Sequence, residues 1–139
     1  MLPFTREQFL GVFADYNTAV WPAQVLAYML GLIVVAALLR PSPLGHKIVA
    51  SMLAAMWVWT GVAYHGIFFS RINPVALVFG ALFVVQGVLF VIAGAARRRL
   101  VFGHSAGFAS VLGWMLVAYA ALVYPLLGQS TGHAYPTQP

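Results

Sequence analysis

Four runs of about twenty apolar residues, separated by breaks too short to hold another element, leave this chain few folds to choose from. They cover residues 21–39, 48–69, 75–96 and 107–127. A bilayer core about 30 Å thick is crossed by about 20 residues of helix. No water is available there to satisfy a free amide, so a crossing segment has to bond its own backbone. The breaks agree with helix ends. Pro22 opens the first run and "RPSP" follows it; Ser70-Arg71 ends the second; Asn73-Pro74 opens the third, and Arg97, Arg98 and Arg99 close it. Proline in a first turn removes only an N–H that had no partner there. Composition points the same way: 63% of the 139 residues are hydrophobic and 6% charged, where a soluble domain carries about 25% charged residues. Short connections set sequence neighbours antiparallel. The expectation is an all-α membrane protein with a single transmembrane domain of four helices in an antiparallel bundle.

The segment before the first run is of another kind. In "LPFTREQFLGVFADY", Thr5 and Gln8 have the spacing of a capping box, and Phe4 is placed to staple against Phe9. Phe9, Phe13 and Tyr16 recur at helical spacing, with Arg6, Glu7 and Asp15 elsewhere around the wheel. Residues 5–16 therefore read as a short amphipathic helix lying in the membrane interface. They lack the basic start and small-residue cleavage site of a signal peptide. Residues 128–139 form a polar tail.

Basic residues set the orientation. Arg40, Lys47, Arg97, Arg98 and Arg99 fall on one side, against Arg6 and Arg71 on the other. The positive-inside rule then puts the first and third loops in the cytoplasm of a cell whose inner membrane holds the chain, with both termini outside. The net charge of +5 is thus a topology signal, and no nucleic-acid-binding face accompanies it.

In that orientation the polar residues of the spans gather toward the outer ends. Gln24 and Tyr28 lie on the first helix, Tyr64 and His65 on the second and Tyr119 on the fourth, with Gln86 near the midplane of the third. Asp15, Asn17, Arg71, Asn73, Gln129 and His133 lie above them. Polar groups in hydrocarbon are costly unless they face protein or water, so these residues are expected to line a small outward-facing cavity. A plainer reading stands beside it. Tyrosines near a membrane end serve as belt residues, and His65 and Gln86 can act as hydrogen-bonded links between helices. Trp57 and Trp59 read as packing anchors. Gly80, Gly87 and Gly94, seven apart, with Ala27 and Gly31 on the first helix and Gly113 on the fourth, are the positions where helices can approach closely. A stripe left over would face a second copy or another membrane subunit.

The inventory excludes much chemistry. Two acidic residues and no cysteine leave no zinc triad, no membrane carboxylate pair, no thiolate or iron–sulfur site and no phosphate-binding loop. His65 has no second histidine at its depth to share a haem, and Ser, His and Asp occur without a nucleophile motif. No enzyme activity, cofactor or metal is expected.

"PFTREQFLGVFADYNTAVWPAQVLAY", "WVWTGVAYHGIFFSRINP", "ALFVVQGVLF" and "YPLLGQSTGHAYP" together resemble a family of bacterial multi-pass membrane proteins whose domain has no known function. The likeness covers essentially the whole chain. Tyr64-His65 through Pro74, and Gly132 through Pro136, are its most specific parts. It implies a multi-pass inner-membrane protein without assigned chemistry. Family members continue past this last segment into a Pro-Cys-Pro stretch and two more hydrophobic segments, so the resemblance implies that the usual C-terminal part is lacking here. Three functions stay open: a non-catalytic subunit or scaffold packing against partner helices in the bilayer, a small transporter or channel for a neutral or weakly charged solute, and a quinone- or haem-associated redox protein.

Overall fold

The computed structural model describes residues 3–103 and 106–130, and every regular element among them is helical. Helix α1, Arg6–Val20, begins at a capping box. Gln8 N–H donates to Thr5 Oγ1 at 3.2 Å, and Thr5 N–H donates to Gln8 Oε1 at 2.8 Å. The Phe4 and Phe9 rings stack at 5.9 Å, as the staple requires. The helix runs past the expected end at residue 16. It stops where Trp21, held extended (φ −66°, ψ 127°), precedes Pro22. A proline crowds the residue before it out of the helical region and donates no N–H to continue the ladder. Helix α2, Ala23–Leu39, sets off at 81° to α1.

Helix α3, Pro43–Arg71, has 29 residues and starts a turn earlier than the apolar run. Ser42 Oγ accepts from Gly45 N–H at 2.9 Å and Pro43 fills the first turn, so His46 and Lys47, read as loop residues, lie on the helix. Its length is about 43 Å at 1.5 Å per residue, more than a hydrocarbon core. Helix α4, Ala76–Ala96, and α5, Phe108–Gly128, have 21 residues each, about 31 Å. By length and composition α3, α4 and α5 can each cross a membrane, and α1 with α2 make a fourth candidate if the bent pair is one span. Three stretches wind more loosely, with i→i+5 bonds: Thr60–Phe68 in α3, Val91–Ala96 at the end of α4 and Tyr119–Val123 in α5. Helical winding continues past residue 127 to Ser130, into the segment read as tail.

Small residues make the packing. The buried apolar residues are Val12, Val49, Ala50, Ala54, Ala63 and Ala76, and no large side chain among the described residues is fully buried. At the α3–α4 seam a Cβ on Gly80 would lie 2.8 Å from the Gly61 carbonyl oxygen, and one on Gly87 3.0 Å from that of Ala54. A Cβ on Gly94 would collide with Ala50. Ascending numbers on one helix meet descending numbers on the other, so the two run antiparallel. Helix α2 also packs on α3, with Ala37 near its end beside Gly45 at the start of α3.

The fourth expected member of the bundle is not packed in this way. No residue of α5 is buried; Leu116 is 58% exposed, Met115 63% and Leu122 63%. A Cβ on Gly113 would meet nothing within 4 Å, and the same is true of Gly31 on α2. The close contacts expected at these two glycines are therefore absent within the described chain. Apolar composition makes a helix comfortable beside either lipid or protein, so it does not select the neighbour.

Candidate functional site: a groove at the helix bend

The bend lays α1 across the end of α3, and aromatic rings fill the crossing. Phe13 and Tyr16 meet Tyr64 with centroids 5.4 and 5.5 Å away, Tyr16 also meets Phe68, and Phe9 meets Phe69 at 6.0 Å. Edge-to-face and tilted pairs at these distances are favourable, by about 0.5–1.5 kcal/mol each beyond their buried area. The aromatic face of α1 is thus turned onto protein.

Tyr64 and His65, adjacent in sequence, serve different neighbours. Successive residues of a helix point about 100° apart. Tyr64 faces α1, whereas the His65 ring lies 4.8 Å from Phe83 and 6.3 Å from Phe79 on α4. The interhelical hydrogen bond expected of His65 is not made by its Nδ1, which is buried with no partner among the described residues.

Polar groups do converge one turn away, where α1, α2 and α3 meet. The Gln24 side-chain amide donates to Asn17 Oδ1 at 3.1 Å and to the Asn17 carbonyl at 3.5 Å, clasping the two arms of the bend. Trp59 Nε1 donates to the Tyr16 hydroxyl at 2.8 Å, tying α1 to α3. Between these bonds lies a groove of about 230 Å³. Tyr16, Gln24, Trp59 and Thr60 line one end, and Ala27, Leu30, Ala55 and Met56 the other. Gln24 Oε1 is buried, with no hydrogen-bond partner among the described residues. Thr60 Oγ1 donates to the Met56 carbonyl at 2.9 Å, which leaves its lone pairs open.

The expected cavity residues are therefore divided. Gln24 lines the groove. Tyr28 and Tyr119 are each 48% exposed and face outward. Gln86 is half-buried on α4, away from this groove. Of the rim, Asn17 takes part through Gln24, and Asp15 is exposed. Arg71 is exposed with its guanidinium 4.9 Å from the centre of the Phe68 ring. Asn73 Oδ1 accepts from Val75 N–H at 3.1 Å, helping to start α4. His133 lies outside the described residues. Trp59 and Thr60 were not expected here. Their signal was an indole and an adjacent hydroxyl placed deep in an apolar run, four and five residues past Ala55. Among the described residues no group of His, Asp and Glu is placed to hold a metal ion.

A family model described as a family of unknown function, DUF6064, matches residues 6–139. The chain belongs to the DUF6064 family. No curated protein and no solved structure matches it. DUF6064 membership carries no chemistry of its own, so a functional reading has to come from the groove, the glycine seam and the unpacked helix.

Proposed function

We propose that this DUF6064 protein is a non-catalytic integral membrane subunit of the inner membrane, which uses α5 to join other membrane helices or a second copy of itself. In this reading α2 to α5 cross the bilayer, α1 lies at the outer surface and both termini are outside. The carrying observation is the contrast between helices. Helices α3 and α4 meet at backbone distance through glycine and alanine, while α5 buries no residue and leaves Gly113 open. The outward display of large apolar side chains elsewhere, such as Leu32 at 71% and Leu82 at 59% exposed, suits lipid and would be a liability in water.

The test is the mass of the purified particle in mild detergent. The full chain should run as a complex of fixed stoichiometry, and a chain ending at Phe102 should purify as a folded monomer with nearly unchanged thermal stability. A monomeric full chain, free of any other polypeptide, would overturn the reading. A small transporter for a neutral solute is the second reading, favoured by the groove beside Gln24, although the groove's polar groups occupy one end alone.

A further inference from the structure

We propose that the basic end of the α3–α4 hairpin binds the headgroup of an anionic phospholipid, with the guanidinium groups of Arg97, Arg98 and Arg99 on its phosphate and Lys47 and Arg40 beside them. This rests on the membrane placement argued above, holds in either orientation and is independent of what α5 joins.

The fold collects these residues at one place. Ala50 lies against Gly94, so Lys47 and Arg97, each three residues nearer the end of an antiparallel pair, stand at about one level. Ala37 beside Gly45 brings the last turn of α2, and with it Arg40, to the same end. The chain leaving α4 is pinned across the start of α3. Phe102 N–H donates to His46 Nδ1 at 3.2 Å, and a Cβ on Gly103 would lie 2.8 Å from Pro41 Cγ. Arg40 and the three arginines after α4 are exposed, and Lys47 is half-buried.

No acidic side chain of the protein can serve this cluster. Glu7 and Asp15, the two that the chain has, are both on α1, which packs on Tyr64 and Phe68 at the other end of α3. From His46 to Tyr64 is roughly 25 Å along the helix, against a Debye length of about 8 Å in physiological salt. The balancing anion therefore comes from outside. An orientation signal asks for lysine and arginine without distinction. Four of these five residues are arginine, whose planar fork matches a phosphate with two parallel N–H bonds. The backbone singles out the same residues. Arg98 has φ 51°, the left-handed corner at which a helix usually ends on glycine and which disfavours any residue with a Cβ. Arg97 N–H donates to the Ile92 carbonyl at 2.9 Å and Arg99 N–H to that of Ala93 at 2.8 Å. The turn thus sets an arginine on each side of a third, at a position where glycine would suit the backbone better. Leu44 and Val101, 67% and 78% exposed, flank the cluster and offer acyl carbons an apolar surface, which a free anion would not need.

The experiment is native mass spectrometry of the full chain released from a maltoside detergent, with palmitoyl-oleoyl phosphatidylglycerol or the phosphatidylcholine of the same chains added. A basic side chain at a membrane surface is worth about fivefold in affinity, so three arginines should favour phosphatidylglycerol on the order of 100-fold. Inorganic phosphate at the lipid's concentration should displace none of it. Arg98→Gly should lower the preference about fivefold. The same variant, free of lipid, should unfold at an unchanged or higher temperature, because glycine takes the left-handed corner freely. It keeps four basic residues at this end against two at the other, so the orientation signal survives. Arg97→Gln together with Arg99→Gln should lower the preference about 25-fold, and Arg71→Gln, at the far end of α3, should leave it whole. Equal binding of the two lipids, displacement by inorganic phosphate, or an undiminished preference in Arg98→Gly would each overturn the proposal. Should the variants fail to fold, the lipid comparison on the unaltered protein decides alone. A monomeric particle that still prefers phosphatidylglycerol would remove the subunit reading and leave the lipid site standing. Release of the chain from membranes by alkaline carbonate would remove the placement on which both rest.

Discussion

Gly80→Ala should destabilise the protein by about 1–3 kcal/mol, although alanine is the better helix former. The added Cβ would lie 2.8 Å from the Gly61 carbonyl oxygen and 3.3 Å from His65 Cβ. Carbon and carbonyl oxygen rest at about 3.3–3.6 Å even in favourable C–H···O contacts, so the helices must part by roughly half an ångström. The obstacle is backbone, and no rotamer change can relieve it. A gap of 0.5–1 Å forfeits about a quarter to a half of each dispersion contact along the seam. A few tens of atom pairs at about 0.1–0.2 kcal/mol each then lose about 2 kcal/mol. Gly31→Ala and Gly113→Ala are the controls, because a Cβ at either meets nothing within 4 Å. They should be neutral or stabilising by up to about 1 kcal/mol. Denaturant titration in mixed micelles, followed by tryptophan fluorescence, measures all three. Gly61→Ala combined with Gly80→Ala should cost less than the sum of the two, since one separation of the helices accommodates both methyls. If Gly80→Ala matches Gly113→Ala within about 0.5 kcal/mol, the seam is not a backbone contact and the packing argument fails.

His65→Phe should raise thermal stability, because it removes a buried nitrogen without a partner and keeps an aromatic ring against Phe83; a lower midpoint would show that Nδ1 is bonded in the membrane. Reporter fusions at Pro139 should be active when the reporter works in the periplasm and silent when it works in the cytoplasm. The opposite pattern would reverse the orientation and place the groove at the inner surface.

What could be read from the residues was local. Thr5, Gln8, Phe4 and Phe9 announce the start of α1 because capping and stapling depend on fixed short spacings. The seven-residue period of Gly80, Gly87 and Gly94 marks one side of a seam. Its other side, Ala50, Ala54 and Gly61, was harder to see, because Trp57 and Val58 interrupt the small residues and the helix loosens from Thr60 onward. That loosening leaves no mark in an apolar pattern. Tyr64 and His65 were grouped because they adjoin, whereas helical rotation sends them to different neighbours. Tyr28 and Tyr119 sit at a suitable height, but height does not fix the direction in which a side chain points. The separation of α5 was beyond any reading of hydropathy, since a lipid tail and a leucine offer an apolar helix much the same surroundings.

The short corner between α3 and α4 bears on the order of events during synthesis. Only residues 72–75 separate the two helices, and Ile72 and Asn73 both donate to the Phe69 carbonyl as the chain reverses. A loop this short closes at little entropic cost, so the glycine seam can zip while later residues are still in the ribosome. Helix α5 then emerges beside a finished hairpin. In the subunit reading, the unit that matures first is the one that needs nobody else, and the helix made after it is the one left to find company.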